Sequence, residues 1–420
     1  MQSEHAANYA TQLLNTLGVE QTISLMCDHP VVSWHKSGLA KVTDGVLPLP
    51  LSAHADGALF ALKTLAPHAD LPLSGALLMG ERARLREITV QGQMSAGDAA
   101  RLLKTSDGFI ALNLVRDDDW DLIPAWLEDD IQDWAGIITQ VRVRSSQDLI
   151  ERGAEMGLAV SESELSPMPE QWFATRRYKS GLPKVNPLIV DLSGLWAGPL
   201  ASSLLGKCGA KVIKVEGPER PDGMRQGHAG FYNLINTGKD CVALEFRDKK
   251  DLERLRDLLE RADIVIEASR PRALKQLGLD ARDFVSRKPG KIWARLTAYG
   301  QSSNRIGFGD DIGVAAGLSE IMRQTYGRNC FVGDAIADPV NGLHLALVIY
   351  ALYQQGGGAI IDLSMRDVLR YAMGNIELRD LEKRANRWGA ILQKSDTNLY
   401  PIRNIKSHAK ALGADTHSLC

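Results

Sequence analysis

The sequence predicts an α/β protein built on a doubly wound, Rossmann-like parallel sheet, with a smaller α+β module. Short apolar runs recur between residues 188 and 364: LIVDLS at 188–193, KVIKVE at 211–216, CVALEF at 241–246, DIVIEAS at 263–269, KIWARLTA at 291–298, and Ala359–Ser364. Runs this short, bounded by glycine or charge, read as buried strands. Helical segments stand between them. Pro199 suits the first turn of a helix through Leu204, Leu205 and Cys208 that Gly209 ends, and Leu252, Leu255, Leu258 and Leu259 repeat at helical spacing within 249–262. Strand and helix in alternation predict a parallel sheet covered on both faces.

The first half has a different pattern. Asp107-Gly108 signals a turn before FIALNLV at 109–115, and an acidic stretch with Trp120, Trp126 and Trp134 reads as helical. A helix over Leu149–Met156 stops at Gly157, ahead of a strand at Leu158–Val160. Residues 1–18 spell an amphipathic helix ending at Gly18. These patterns divide the chain into a small α+β domain with an N-terminal extension (1–165), a linker or crossing segment (166–187) and a sheet domain with a C-terminal tail (188–420). Ser166-Pro167-Met168-Pro169 and Gly181-Leu182-Pro183 mark the linker.

Composition excludes several functions. A chain of 420 residues is too long for one ordinary core, so two or three domains are expected. Lys plus Arg (49) nearly balance Asp plus Glu (51), and the net charge of -2 gives no case for nucleic acid or an anionic membrane as partner. Cys27, Cys208, Cys241, Cys330 and Cys420 are scattered, which predicts reduced thiols and a cytoplasmic location, with no disulfide framework or metal site. No stretch has the pattern of a signal peptide or the length of a bilayer span. No G-x-G-x-x-G follows the strand at 188–193, and there is no Walker A loop, H-E-x-x-H or G-x-S-x-G elbow. Nicotinamide dehydrogenases, P-loop ATPases and serine hydrolases are thereby disfavoured.

Two segments remain. One is Asp191-Leu-Ser-Gly-Leu-Trp-Ala-Gly-Pro199, continued by a helix and Gly209-Ala-Lys-Val-Ile-Lys-Val-Glu216. The other is Ala337-Asp338-Pro-Val-Asn-Gly342-Leu-His344, entering an apolar helix that breaks at Gly356-Gly357-Gly358 before the strand Ala359–Ser364 and a helix from Met365. In their order and spacing these segments resemble the family III CoA transferases, the group of formyl-CoA, carnitine and bile-acid CoA transferases whose fold the α-methylacyl-CoA racemases share. The likeness covers residues 188–370. Asp107–Val115, Trp120–Trp126 and Leu149–Val160 are similar to that family's small domain but precede the catalytic segment instead of following it, as in a rearranged or circularly permuted member.

The resemblance implies an enzyme that moves coenzyme A between an acyl-CoA donor and a small carboxylic acid, without a metal, as a homodimer of the interlocked kind that family forms. It places the nucleophile at Asp338, four residues before Gly342, at a helix entrance of small residues. A carboxylate there can attack the thioester and hold the acyl group as a mixed anhydride. Burial makes it a better nucleophile than in water, and backbone N–H groups can steady the oxyanion. On spacing alone, a helix cap is an equally good reading of Asp338. Asp334 is the competing carboxylate, one helical turn too early, and His344 reads as a helix residue facing its neighbours. For CoA the resemblance implies Leu195, Trp196 and Ala197 along the pantetheine, Lys239 near the nucleotide, Ser269, Arg270, Gln276 and Leu277 around adenine and phosphates, and Tyr299 as a further contact. The run Ala268-Ser269-Arg270-Pro271-Arg272 departs from the family's N-F-[RK]-P-G, losing an aromatic contact while keeping cations for the phosphates. Core packing is the plain alternative for Trp196, and a solvated turn for Lys239.

Two other functions stay open. A racemase of this fold needs a proton-transferring histidine where Phe308-Gly309-Asp310-Asp311-Ile312 carries Asp310. A non-catalytic CoA-binding protein would bind acyl-CoA without exchanging it.

Overall fold

The structure, a computed structural model, describes residues 2–89, 92–270, 272–405 and 407–420. Seven strands form one sheet in the order 174–177, 359–364, 292–297, 264–267, 188–191, 211–216, 240–243. Six of them run parallel, with Ile264 level with Ile189 on one side and Ile292 on the other. These strands are apolar almost throughout because helices cover both faces. Four of them are shorter than their apolar runs, while 211–216 and 359–364 fill theirs. The first ends at Asp191 because its Oδ1 accepts the backbone N–H of Ser193 at 3.0 Å and turns the chain out of the sheet.

The segment 166–187 is anchored to the sheet. Ala174–Arg177 pairs antiparallel with Ala359–Asp362 as an edge strand, and Trp172 is buried, donating its indole N–H to Thr16 Oγ1 at 2.9 Å. A three-stranded antiparallel sheet, Ala100–Lys104, Phe109–Asn113 and Ala159–Glu162, has its own core around Trp126, Leu149 and Val160.

Residues 5–85, grouped by sequence pattern with that smaller sheet, share the core of the larger one instead. Their helices His5–Thr16, Leu51–Leu65 and Gly75–Leu85 pack around the helix Ala337–Gln354. That helix has no polar face. Every residue from Pro339 to Tyr353 is buried, so it needs apolar partners on all sides, and the N-terminal helices supply those the sheet layer does not. On its other side lies the helix Ala197–Lys207, approached at Gly342, where an added Cβ would stand 2.8 Å from the Ala197 carbonyl oxygen and 3.0 Å from Leu200. Gly342→Val is expected to separate these helices and destabilise the protein by about 1–3 kcal/mol, measurable by denaturant unfolding. No helix among the described residues is long and apolar enough to cross a membrane.

Candidate active site

Beyond the carboxyl ends of four neighbouring parallel strands lies a cavity of about 270 Å³. Gly194, Leu195 and Ala197 reach it after the first strand, Ala268, Ser269 and Arg270 after 264–267, Thr297 and Ala298 at the end of 292–297, and Met365 after 359–364. Ligands collect at this edge of a doubly wound sheet because loops diverge there and helix N-termini point inward. Asp338 forms part of the same wall, and Arg116, Arg305, Ile306, Gly307 and Phe308 complete it.

The helix that carries Asp338 begins at Ala337, with Ile336 as its N-cap, so Asp338 stands inside the first turn and does not cap it. The turn is reached through strained backbone. Gly333 has φ +76° and Ala335 φ +43°, and the Ala335 N–H donates to Asp310 Oδ1 at 2.8 Å. Leu195, on the opposite wall, has φ +62° and is held by a bond from its N–H to Asp222 Oδ1 at 2.9 Å. A non-glycine residue in this region costs roughly 1–3 kcal/mol and persists where its surroundings impose it, often at binding sites. Gly309 closes against the carboxylate, since a Cβ there would lie 2.5 Å from Asp338 Oδ2.

Four carboxylates gather at this point, and they differ in their partners. Asp334 is fully buried and takes the Arg82 guanidinium, with Nε at 2.8 Å from Oδ2 and Nη2 on Oδ1. Asp310 accepts the Ala335 N–H. Asp311 accepts from Asn113 Nδ2 at 2.8 Å and from the Phe308 N–H at 2.9 Å. Asp338 alone of the four has no hydrogen-bond partner for its carboxylate among the described residues, and it keeps partial exposure to the cavity. Burial pushes its carboxyl up to about 7, with Arg82 opposing and Asp310, Asp311 and Asp334 adding to the rise.

The structure brings Asp338, Leu195, Ala197, Ser269 and Arg270 to one cavity. The other residues singled out from the sequence lie elsewhere. Trp196 is buried edge-on against Phe231, at 4.9 Å between ring centroids, with the Arg82 guanidinium 5.1 Å above its ring. Lys239 points into the protein, where Nζ donates to the Pro199 carbonyl at 2.8 Å, Asn236 Oδ1 at 3.0 Å and Asp191 Oδ2 at 3.5 Å. Those three acceptors account for its three N–H groups. Gln276 is exposed, Leu277 packs on the opposite side of the sheet, and Pro271 of the 268–272 run lies outside the described residues. Tyr299 is buried behind the cavity, 4.0 Å beneath the Arg305 guanidinium. Gly342 faces the neighbouring helix, as described above. His344 is fully buried. Its Nδ1 bonds the Val340 carbonyl at 2.7 Å and so carries the proton, leaving Nε2 to accept the Tyr9 hydroxyl at 2.8 Å. Burial lowers it to about 4, so it is a neutral packing histidine.

Arg82, Arg116 and Arg305 did not emerge from the sequence. Arg82 and Arg116 lie far along the chain from Asp338, and no pattern around any of the three arginines marks it as part of a site.

A carboxylate with no hydrogen bond from the described residues, beyond the ends of parallel strands and facing a cavity with three guanidinium groups, defines a class: an α/β protein whose site suits anionic ligands. Residues 187–406, more than half of the chain, match the model of CoA-transferase family III, and the protein belongs to that family. It is 30% identical over 235 residues to succinyl-CoA:glutarate CoA-transferase of Homo sapiens, an alignment covering 51% of this chain and 54% of the human one. It is 27% identical over 194 residues to acetyl-CoA:oxalate CoA-transferase of Acetobacter aceti, covering 43% and 50%. Among solved structures it is similar to a CAIB/BAIF family protein from Brucella suis, with 27% identity, TM-score 0.42 and coverage of 48% of this chain and 58% of that one. The chain thus spans about half the length of the curated relatives it matches.

Proposed function

We propose that this protein transfers coenzyme A from an acyl-CoA to a carboxylic acid through an acyl–aspartyl mixed anhydride on Asp338. The observation that carries the proposal is the Asp338 carboxylate, which has no hydrogen-bond partner among the described residues. Its three neighbours are tied to Arg82, to a backbone N–H, or to Asn113 and a backbone N–H, and Asp338 is left free to attack.

The steps balance without another reagent. A carboxylate oxygen of Asp338 attacks the donor thioester carbonyl, the C–S bond breaks and CoA leaves as thiolate. The thiolate then attacks the aspartyl carbonyl of the anhydride, releasing the donor acid and leaving CoA on Asp338 as a thioester. The acceptor carboxylate displaces the thiolate to form a second anhydride, and the thiolate attacks the acceptor's carbonyl. Acceptor-CoA departs and the Asp338 carboxylate is regenerated. Leu195 and Ala197 would lie along the thiol arm, and Arg270 beside Arg116 would meet phosphate charge, since guanidinium groups bind phosphate oxygens in pairs.

The competing outcomes separate in one assay, with acyl-CoA, a labelled free acid and deuterated solvent. Transfer predicts label in the CoA ester with no deuterium at the α-carbon. A racemase incorporates deuterium, and a binding protein does neither.

The pH dependence follows from the surroundings of Asp338. Its carboxyl is held up at about 7, so it is protonated and non-nucleophilic below that pH and ionised above. kcat/KM for enzyme acylation is expected to rise with pH, level off above about 7, and report one ionisation there. A plateau already complete at about pH 5 would place the nucleophile elsewhere.

A further inference from the structure

A lysine stands in the apolar interior of the large sheet. Lys214 lies on the strand 211–216, level with Asp191, and is 1% exposed between the buried Ile213 and Val215. A buried ammonium is costly unless it is paired and hydrogen-bonded. Its Nζ meets Asp222 Oδ2 at 2.8 Å and donates to the Ser193 carbonyl at 2.9 Å. Asp222 is itself buried, in the loop that follows the same strand. Burial works against the charge on Lys214, and Asp222, Asp191 and Glu216 together outweigh it, so the ammonium stays protonated.

Both members of this pair act on one turn, residues 193–195, which leads from the strand 188–191 to the cavity. Lys214 holds the start of the turn at the Ser193 carbonyl. Asp222 holds its end, where Oδ1 accepts the Leu195 N–H at 2.9 Å, and the same oxygen accepts the Met224 N–H at 3.0 Å. Asp222 is anchored in turn. Its own N–H donates to Glu216 Oε2 at 2.8 Å, and Glu216 Oε1 takes Arg225 Nη2 at 2.6 Å. Leu195 is the point that needs holding, because it lies on the cavity wall at φ +62°, a left-handed conformation that leucine seldom adopts. A buried ion pair contributes little stability beyond that of apolar side chains of similar volume. What this pair supplies is a fixed backbone at the mouth of the site.

We propose that Lys214 and Asp222 are positioning residues for coenzyme A: they hold Leu195 in its left-handed conformation before the ligand arrives, so that the cavity wall is already shaped for the thiol arm. This rests on the reading that the thiol arm lies along Leu195 and Ala197. Neither Lys214 nor Asp222 lines the cavity, so both act through the turn alone. Without the pair the free turn relaxes to ordinary backbone, and only the fraction still left-handed is competent to bind. Affinity falls by that fraction, while the complex, once formed, reacts as before.

The test is a cycle of variants in the full-length protein, read by calorimetric binding of free coenzyme A and by hydroxylamine-dependent CoA release from succinyl-CoA. Lys214→Met combined with Asp222→Leu removes both charges and strands neither, so the fold should be retained. The Kd for CoA is expected to rise roughly tenfold, with kcat at saturating succinyl-CoA changed by less than about twofold. Asparagine enters the left-handed region far more readily than leucine. In a Leu195→Asn background the same two changes should therefore weaken CoA binding by less than about twofold relative to that background. The proposal is overturned if the paired change leaves Kd at the wild-type value. It is also overturned if binding weakens by the same factor in both backgrounds, the result expected of a pair that only supports the fold. A measurement on the wild type decides the matter even if the paired variant does not fold: the Leu195 amide should resist hydrogen exchange without ligand, and protection that appears only when CoA is bound overturns the proposal. The predicted binding cycle without any acylation would remove the Asp338 chemistry and leave the positioning role standing, whereas normal acylation with an unchanged Kd in the paired variant removes the positioning role alone.

Discussion

Asp338→Asn is expected to abolish CoA transfer, lowering kcat by at least roughly 10³-fold while leaving the fold intact, because a carboxamide oxygen cannot form the anhydride. The loss should fall on kcat, with acyl-CoA binding retained and even tightened. In the wild type the carboxylate sits against Gly309 among three other acidic side chains, and the neutral amide relieves that repulsion. Stopped-flow acylation and calorimetric binding of acyl-CoA separate the two effects. Unfolding should show equal or slightly greater stability near neutral pH, since the substitution also removes the cost of ionising a buried group. A variant that still transferred CoA at the wild-type rate would leave Asp338 a bystander.

Removing Arg82 is expected to have the second largest effect, on stability and on pH dependence together. Arg82 is held by Asp334, whose side chain is wholly buried, and its charge opposes the rise that burial imposes on the Asp338 carboxyl. Arg82→Met strands the Asp334 charge and should cost about 3–5 kcal/mol in unfolding free energy. The double variant Arg82→Met, Asp334→Leu removes the stranded charge and should regain most of that loss. It should not restore the pH profile. Without the guanidinium, burial and the remaining Asp310 and Asp311 act on Asp338 unopposed, its carboxyl rises above about 7, and the acylation limb moves to higher pH. A double variant that was stable and had an unshifted limb would show that Arg82 supports only the fold.

Arg82 also shows what the sequence could and could not disclose. It lies on Gly75–Leu85, within the first eighty-odd residues whose part in the fold had no sequence signature. Their role becomes visible only against a helix buried on every side. The sheet itself was legible, because strands covered on both faces must be short apolar runs and the helices between them must keep one apolar stripe. Asp338 was reached through the family resemblance, which sets an aspartate four residues before a glycine, and spacing alone left a helix cap as an equal reading. Leu195, Ala197, Ser269 and Arg270 came to the cavity because each follows a parallel strand at its carboxyl end.

Residues next to them did not follow. Trp196 stands between two cavity residues, but the turn aims its ring at Phe231, and a bulky aromatic contributes more in the core than at the rim. Lys239 has the appearance of a phosphate-binding lysine in a polar turn. Only the folded chain assembles Pro199, Asn236 and Asp191 around its ammonium, and burial then lowers it to about 8. Charge alone could not have separated it from Arg270. The first half was legible as helices and strands yet silent on its contribution, which is Arg116 at the cavity and Asn113 on Asp311.

The central claim is that Asp338 carries the acyl group, and one measurement addresses it directly. The protein is mixed with acyl-CoA donors, including glutaryl-CoA, quenched with hydroxylamine during turnover, digested and analysed by tandem mass spectrometry. The account predicts a hydroxamate on the side chain of Asp338, dependent on acyl-CoA and absent from Asp338→Asn. A hydroxamate on Asp334 or Asp310, or CoA transfer that proceeds with no modified aspartate, would contradict it.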